Sequence, residues 1–335
     1  MACLIESGQP FLVGRPGMGA PEDAACVVSV DDRSGATYER KNVTYYRKQT
    51  ISVAKFWNGT RRRLKAENGV LTVDDSDTYD YARCYTAAMN ASDLIARFGG
   101  GHKFPLRLPA DSCANPGRHH HAKVDVLLAK SGHFPTNVLC ETALNPWVSI
   151  IEGRAPATFS ERVKDIFGWT RALAGKTVLI VHPFNTTIRT QLGRGGTAIW
   201  GSWADDIMPP TVEFKLVGAP QNVGLARENS DWREALTELL RRVEAMGYFD
   251  LALVGCGGLG MLLGAHLRAT NRSAIYHGAA LQTYFGIYGT RWKNEPFLRG
   301  TNRTGWVRPL KAEYPIGGNL VDRHLQGGKG AAPYW

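Results

Sequence analysis

Residues 248–286 read YFDLALVGCGGLGMLLGAHLRATNRSAIYHGAALQTYFG, and the other predicted elements are placed relative to this stretch. An apolar run at 249–254 meets a cluster of glycines, small and apolar residues continue at helical spacing to Leu267, and a second apolar run covers 273–276. This order predicts a strand, a tight glycine turn, a helix and a second strand. Because the carboxyl ends of parallel strands meet at one edge of a sheet, we expect the loops after both strands at that edge.

The glycine cluster has the spacing of a dinucleotide-binding turn. Gly255, Gly257 and Gly260 fit G-x-G-x-x-G, in which glycines let the backbone approach a phosphate and the next helix offers its first N–H groups. The second strand ends in Tyr276-His277, without an acidic residue for a ribose hydroxyl, which weakens an interpretation as an NAD-dependent oxidoreductase. A plainer alternative is that the turn needs glycine only for close packing of strand against helix.

The chain before this stretch continues the same alternation. Residues 177–181 (TVLIV) are typical of a buried parallel strand, and 212–217 form another strand candidate. Residues 231–246 keep one apolar helical face, and Asp231 with Glu234 makes a capping box. The series predicts an α/β fold: a Rossmann-like, mostly parallel sheet with helices on both faces.

The first half of the chain carries shorter signals. Residues 10–13 and 93–98 are strand candidates, and a helix is predicted at about 78–89 behind a group of acidic cap residues. Residues 31–63 are polar and mixed, so we expect irregular structure there with one helix near 51–57. Arg61-Arg62-Arg63 is expected in a solvated surface turn.

We divide the chain into three parts on these signals. They are an N-terminal α/β half with irregular and helical insertions (1–150), a C-terminal Rossmann-like half (151–292) and a tail that packs on the domain (293–335), together forming one compact unit. With 335 residues, the chain is long enough to bury a substantial core.

Composition narrows the class of protein. A hydrophobic content of 44% with 21% charged residues is that of a globular protein, and the net charge of +10 favours an anionic partner. No nucleic-acid-binding signature accompanies the charge. The six cysteines include no C-x-x-C pair, which indicates reduced thiols, and a short apolar run without a basic flank at the N-terminus predicts neither a signal peptide nor a membrane anchor. We therefore expect a cytoplasmic protein without membrane insertion; nothing in the sequence indicates its oligomeric state.

Several motifs, taken in order, resemble a known family. They are PFLVGRPG at 10–17, WTRALAGKTVLIVHPFNTTIRTQ at 169–191, FDLALVGCGGLGMLLGAHL at 249–267, AIYHGAALQTYFGIYGTRW at 274–292 and WVRP at 306–309. Together they look like a group of microbial proteins associated with surface-polysaccharide synthesis, which resembles the glycosyltransferases of fold type D (GT-D). The resemblance implies a Rossmann-like sheet that binds a nucleoside-diphosphate sugar and transfers the sugar to an acceptor hydroxyl of a glycan.

The resemblance also implies a metal-diphosphate motif, from which this chain departs. The GT-D pattern has Asp-Gly-Glu in RFGDGE after an early strand. Here the corresponding residues run from Arg15 to Glu22, with the arginine and one glycine, Gly17, retained. Glu22 could stand in for the motif's glutamate. The resemblance implies Mn or Mg as the cofactor. Whether this chain depends on a metal stays open because Asp-Gly-Glu is missing.

The candidate site combines the predicted strand ends with the family pattern. Glu22 and His182 are the catalytic candidates, as general base or as groups that position the acceptor. Cations and helix N-termini would stabilise the departing diphosphate. Two alternatives to a glycosyltransferase stay open. The first is a non-catalytic nucleotide- or glycan-binding relative, and the second is the NAD-dependent oxidoreductase. The candidates for binding the nucleotide sugar are Arg15, Gly17, Thr187, Arg189, Gly255, Gly257, Gly260, His277, Gly278 and Gln282.

Overall fold

The structure is a computed structural model. It describes residues 2–14, 20–21, 24–25, 27–28, 42–45, 49–97, 138–140, 168–220, 231–289 and 303–313.

One parallel sheet organises the described residues. Its seven strands follow the order β5-β4-β1-β9-β8-β6-β7, and every neighbouring pair is parallel. The predicted α/β, Rossmann-like class is thereby confirmed. Strands β2 and β3 form a separate antiparallel hairpin. The strands are β1 Leu12–Gly14, β2 Asn42–Tyr45, β3 Gln49–Ser52, β4 Leu94–Arg97, β5 Val138–Cys140, β6 Thr177–His182, β7 Glu213–Gly218, β8 Leu251–Val254 and β9 Ser273–Tyr276.

The helices connect these strands in chain order. A π-helical turn, Leu64–Asn68, continues the second helix, and short 3-10 turns flank several others. The α-helices are α1 Ala2–Glu6, α2 Val53–Arg63, α3 Asp75–Asn90, α4 Asn185–Arg194, α5 Gly196–Trp200, α6 Ala204–Ile207, α7 Trp232–Glu244, α8 Gly260–Ala269 and α9 Leu281–Tyr284.

The sheet is buried on both faces because its strand residues alternate between two cores. Ile180 of β6 and Leu253 of β8 point into one core, which we call face A and which also holds α4, α5 and α6. Val181 and Val254 point into the other, face B, which holds α3, α7 and α8. Two covered faces explain why these strands read as continuous apolar runs in the sequence.

Two helix starts follow the predicted cap chemistry. The Asp231 carboxylate accepts hydrogen bonds from the N–H groups of Arg233 and Glu234, at 2.8 and 2.9 Å, and so caps α7. The Asp74 carboxylate accepts from the Asp77 N–H at 2.8 Å and caps α3. Both helices are confirmed, because the caps bind N–H groups that the first helical turn leaves unbonded.

Asp77 fixes α3 against α7 on face B. Burial would raise the pKa of this carboxyl, but hydrogen bonds from the Val73 N–H, the Arg233 guanidinium and the Trp232 indole outweigh burial and lower it. The ionised carboxylate therefore holds the two helices together. This contact matters for the site because α3 also carries Tyr81, which reaches the glycine turn.

The predicted structure of residues 31–63 is wrong in part. In place of irregular chain with one helix near 51–57, the structure has the β2–β3 hairpin followed by α2. The Ser52 hydroxyl accepts from the Lys55 N–H at 3.3 Å and starts the helix after the hairpin. The three arginines at 61–63 lie in the last turn of α2, where positive charge favours the helix dipole, and not in a surface turn. Residues 31–41 and 46–48 lie outside the described residues.

Strands from both predicted halves share the sheet. β1, β4 and β5 come from residues 1–150, and β6 to β9 come from 151–292. In the predicted tail, Trp306 packs into the face A core and its indole N–H donates to the Ile199 carbonyl at 3.0 Å. The division of the chain into three parts stays a prediction.

Candidate functional site

The connections after two neighbouring strands leave the sheet in opposite directions. β6 leads through α4 on face A to β7, while its neighbour β8 leads through α8 on face B to β9. Such a topological switch point opens a crevice outside the carboxyl ends of the strands, which is where open α/β sheets bind ligands. The loops that begin at His182 and Gly255 therefore border the candidate site.

His182 is the last residue of β6, and its ring is held as a neutral imidazole. Only 3% of the residue is exposed, and the Phe184 N–H donates to its Nδ1 at 3.0 Å. Since Nδ1 accepts this bond, the proton of the neutral ring lies on Nε2. Burial lowers the pKa of His182 to about 3. In this state the ring can donate a hydrogen bond from Nε2, but the lone pair of Nδ1 is occupied by the Phe184 N–H and is not free to take a proton.

His182, Gly255 and Gly278 meet at the switch point. A Cβ atom on Gly255 would lie 2.7 Å from His182 Cδ2 and 3.0 Å from the Gly278 carbonyl oxygen. The sequence placed these residues at three different positions in the chain, and the structure brings them together. Glycine is required at position 255 because no side chain fits between the imidazole and the next loop.

His277 and Gln282 lie behind this contact, in the protein interior. The His277 ring is 4% exposed and its centroid lies 6.3 Å from that of Trp169. Gln282 is 1% exposed and donates from Nε2 to the Ile287 carbonyl at 3.3 Å. Both residues follow β9 as predicted, and both support the loop from inside. Their predicted contacts with a nucleotide sugar stay predictions.

Protein atoms occupy the space beside the other glycines of the turn. A Cβ on Gly257, whose φ is +61°, would lie 2.5 Å from the Asn68 carbonyl oxygen. One on Gly260 would overlap the ring of Tyr276. The hydroxyls of Tyr81 and Tyr276 donate to the carbonyls of Gly258 and Gly257, both at 2.8 Å. Close packing is thus a sufficient reason for these glycines, as the plainer alternative expected.

The first turn of α4, a candidate diphosphate contact, holds a carboxylate of the chain itself. Glu313 Oε1 accepts from the N–H groups of Thr186 and Thr187 at 2.7 and 3.1 Å, and Oε2 accepts from the Thr187 hydroxyl. The Leu310 N–H donates to that hydroxyl at 2.9 Å. Thr187 is therefore engaged by the segment 303–313, whereas Arg189 lies exposed one half-turn further along the helix. A nucleotide diphosphate could bind Thr187 only after displacing Glu313.

Replacing Glu313 by alanine is expected to lower the free energy of unfolding by about 2 kcal/mol, since two N–H groups and a hydroxyl lose their acceptor. Urea unfolding followed by circular dichroism measures the loss. The matched control is Glu213→Ala at an exposed glutamate of β7, where a change within about 0.5 kcal/mol is expected. Equal losses in the two variants would show that Glu313 does not cap α4.

Three predicted site residues, Arg15, Gly17 and Glu22, lie outside the described residues. They follow β1, which pairs with β9 in the middle of the sheet. Their predicted roles stay predictions.

Sequence reasoning missed two residues at this edge, Glu313 and Asn68. Glu313 belongs to a tail without hydrophobic periodicity, so nothing marked it as a cap for a helix more than 100 residues earlier. Asn68-Gly69 has the composition of a turn, and Asn68 does precede the left-handed Gly69. The sequence held no signal that this turn reaches the glycine cluster.

The described part of the chain contains neither a candidate metal site nor a helix that could span a membrane. Within those residues, no group of three His, Cys, Asp or Glu side chains is placed to hold a metal ion. None of the described helices combines the length and apolar composition needed to cross a bilayer.

Comparisons with known proteins add little beyond the sheet itself. Neither a protein-family model nor a curated protein sequence matches the chain. It is similar to a solved structure described by the finding that the highly conserved domain of unknown function 1792 has a distinct glycosyltransferase fold. The two share 16% identity over 84% of this chain and 77% of that one, with a TM-score of 0.36. A TM-score this low does not establish a shared fold, so the fold assignment rests on the observed strand order.

Proposed function

We propose that this protein is a glycosyltransferase that binds a nucleoside-diphosphate sugar at the carboxyl edge of the sheet and transfers the sugar to an acceptor hydroxyl, in glycan or polysaccharide synthesis. The observation that carries the proposal is the switch point between β6 and β8, where His182, Gly255 and Gly278 meet. The motif resemblance supports the choice of ligand, and the positive net charge suits a diphosphate.

His182 takes the role of a hydrogen-bond donor in this proposal. Its Nε2–H, in a buried and weakly polar setting, stabilises negative charge on the ligand more strongly than it would in water. The role of general base then falls to Glu22, and Arg15 and Arg189 supply positive charge for the departing diphosphate. Mn or Mg remains a proposed cofactor, although the described residues show no ligand set for it.

One observation favours a second candidate, a non-catalytic protein that binds a nucleotide or glycan. The lone pair of His182 Nδ1 already accepts the Phe184 N–H, so this ring cannot remove a proton from an acceptor. The missing Asp-Gly-Glu motif points the same way. This candidate predicts binding without turnover.

A thermal-shift screen of the purified protein tests the binding step. The panel contains UDP-glucose, GDP-mannose, dTDP-glucose, CMP-N-acetylneuraminate and NAD(H), each with and without manganese. We expect one nucleotide-sugar class to stabilise the protein by about 2.7 kcal/mol at a hundredfold excess over Kd. A flat response to every nucleotide sugar would contradict the glycosyltransferase and the nucleotide-binding form of the second candidate, and stabilisation by NAD(H) alone would favour the oxidoreductase.

A transfer assay then separates the two candidates. Release of free nucleotide in the presence of acceptor glycans is expected from the wild type, with losses in Arg15→Ala and Glu22→Ala. Arg62→Ala, at an exposed arginine in the last turn of α2, is the matched control and should keep wild-type turnover. Binding without any turnover would establish the second candidate.

A further inference from the structure

The second helix ends in an unusual backbone conformation. Residues Leu64–Asn68 form a π-helical turn that continues α2 without a break, and the Val70 N–H donates to the Leu64 carbonyl at 3.1 Å beyond it. Gly69 then leaves the helix with a left-handed φ of +68°. Single π turns are rare and are frequently found at functional sites. This turn therefore calls for an explanation in terms of what it positions.

The π turn places Asn68 directly against the glycine turn after β8. Its carbonyl oxygen lies beside Gly257, and its Cβ would be 3.4 Å from a Cβ on Gly258. Gly257 is exposed, while Gly258 and Gly260 are buried. Asn68 thus borders the glycine turn where that turn opens to solvent, next to the switch point.

The side-chain carbonyl oxygen of Asn68 lacks a hydrogen-bond donor within the part of the chain that the structure describes. This atom, Oδ1, is buried. Native proteins rarely leave such an atom without a partner, and an exception needs an explanation such as a bound water or ion or a functional role. The residue as a whole is half-buried, so Asn68 lies at the boundary between the turn and solvent with its Oδ1 atom on the buried side.

The chemistry of an amide selects the kind of group that would satisfy it. An ionised phosphate offers acceptors only, and a buried carbonyl oxygen needs a donor. A hydroxyl both donates and accepts, so it satisfies the amide in either of its two orientations. A nucleotide sugar carries hydroxyls on its ribose and on the sugar to be transferred.

We propose that Asn68 binds a sugar hydroxyl of the nucleotide sugar, and that the π turn exists to hold it there. This inference rests on the proposed function. It adds a ligand contact from α2, an element that neither the motif resemblance nor the glycine pattern assigns to the site. It also supplies the hydroxyl contact for which β9 offers no acidic residue.

The test compares Asn68→Ala with wild type by isothermal titration calorimetry. The ligands are the nucleotide sugar of the panel that binds wild type most tightly and its free nucleotide. We expect Asn68→Ala to weaken binding of the nucleotide sugar about 3- to 10-fold, the loss of one neutral hydrogen bond. Without ligand, its Tm should be unchanged or raised, because an unsatisfied amide is removed. Asn58→Ala, at an exposed asparagine of the same helix, should bind like wild type.

Each outcome either shows whether Asn68 binds a hydroxyl of the ribose or of the transferred sugar, or overturns the inference. Equal weakening of nucleotide sugar and free nucleotide assigns the hydroxyl to the ribose, and weakening of the nucleotide sugar alone assigns it to the transferred sugar. Unchanged affinity for both, or a lower Tm of the free protein without an affinity loss, overturns the role of Asn68 and leaves the proposed function intact. Failure of wild type to bind any nucleotide sugar overturns the proposed function and this inference with it.

Discussion

The free energy of unfolding is expected to fall by about 4 kcal/mol between pH 6.5 and pH 3 because of His182 alone. Burial lowers the pKa of this ring from 6.5 to about 3 in the folded protein. Between these values the unfolded chain binds a proton that the folded protein does not, so stability rises with pH across the window and is lost as the solution is acidified. Each pH unit within the window changes the free energy by about 1.4 kcal/mol.

A double comparison isolates the contribution of His182 from that of the carboxylates. Urea unfolding is measured at pH 7 and pH 4.5 for wild type and for His182→Gln, which cannot titrate. About 2.5 kcal/mol of the wild-type acid loss should be absent in the variant, whatever its stability at pH 7. His266→Gln, at a half-buried histidine of α8, is the control and should keep the part of the acid loss that comes from His182. If His182→Gln also keeps the full loss in the free energy of unfolding between pH 7 and pH 4.5, the ring is not held neutral in the folded protein.

The sequence predicted the C-terminal part of the sheet well because each of its elements is locally determined. The apolar runs of β6, β8 and β9 are buried on both sides and read as strands on their own. Helix α7 carries its own cap in Asp231 and one continuous apolar face. Residues 31–63 lack such signals. Thr50, Ile51 and Val53 are β-branched residues next to a helix start, and the boundary between β3 and α2 is set by the pairing of β3 with β2.

The candidate site was predictable in its location and not in its contents. Strand ends placed His182, Gly255 and Gly278 at one edge, since this follows from a parallel sheet alone. What fills the space around them depends on residues far away in the chain, such as Glu313 at the first turn of α4 and Asn68 at Gly257. A glycine pattern shows that space is needed beside the backbone. It does not show whether a phosphate or another part of the protein occupies that space.

Gly257→Ala is expected to lower the free energy of unfolding by about 3 kcal/mol. The left-handed φ of +61° costs about 1 kcal/mol with a side chain present. The new Cβ would also lie 2.5 Å from the Asn68 carbonyl oxygen, a backbone atom that cannot rotate away, which adds about 2 kcal/mol of overpacking. Urea unfolding followed by circular dichroism measures the total.

Gly175→Ala separates the two costs because this glycine shares only one of them. Its φ is +71°, and a Cβ there would meet nothing within 4 Å, so a loss of about 1 kcal/mol is expected from strain alone. The difference between the variants, about 2 kcal/mol, is the packing of the π turn against the glycine turn. Equal losses would mean that Asn68 does not cover Gly257, and the space beside that glycine would be open to a phosphate. If Gly257 is instead needed for phosphate binding, its substitution should lower mainly the ligand affinity. Stability and affinity measured on the same variant therefore distinguish close packing from phosphate binding as the reason for this glycine.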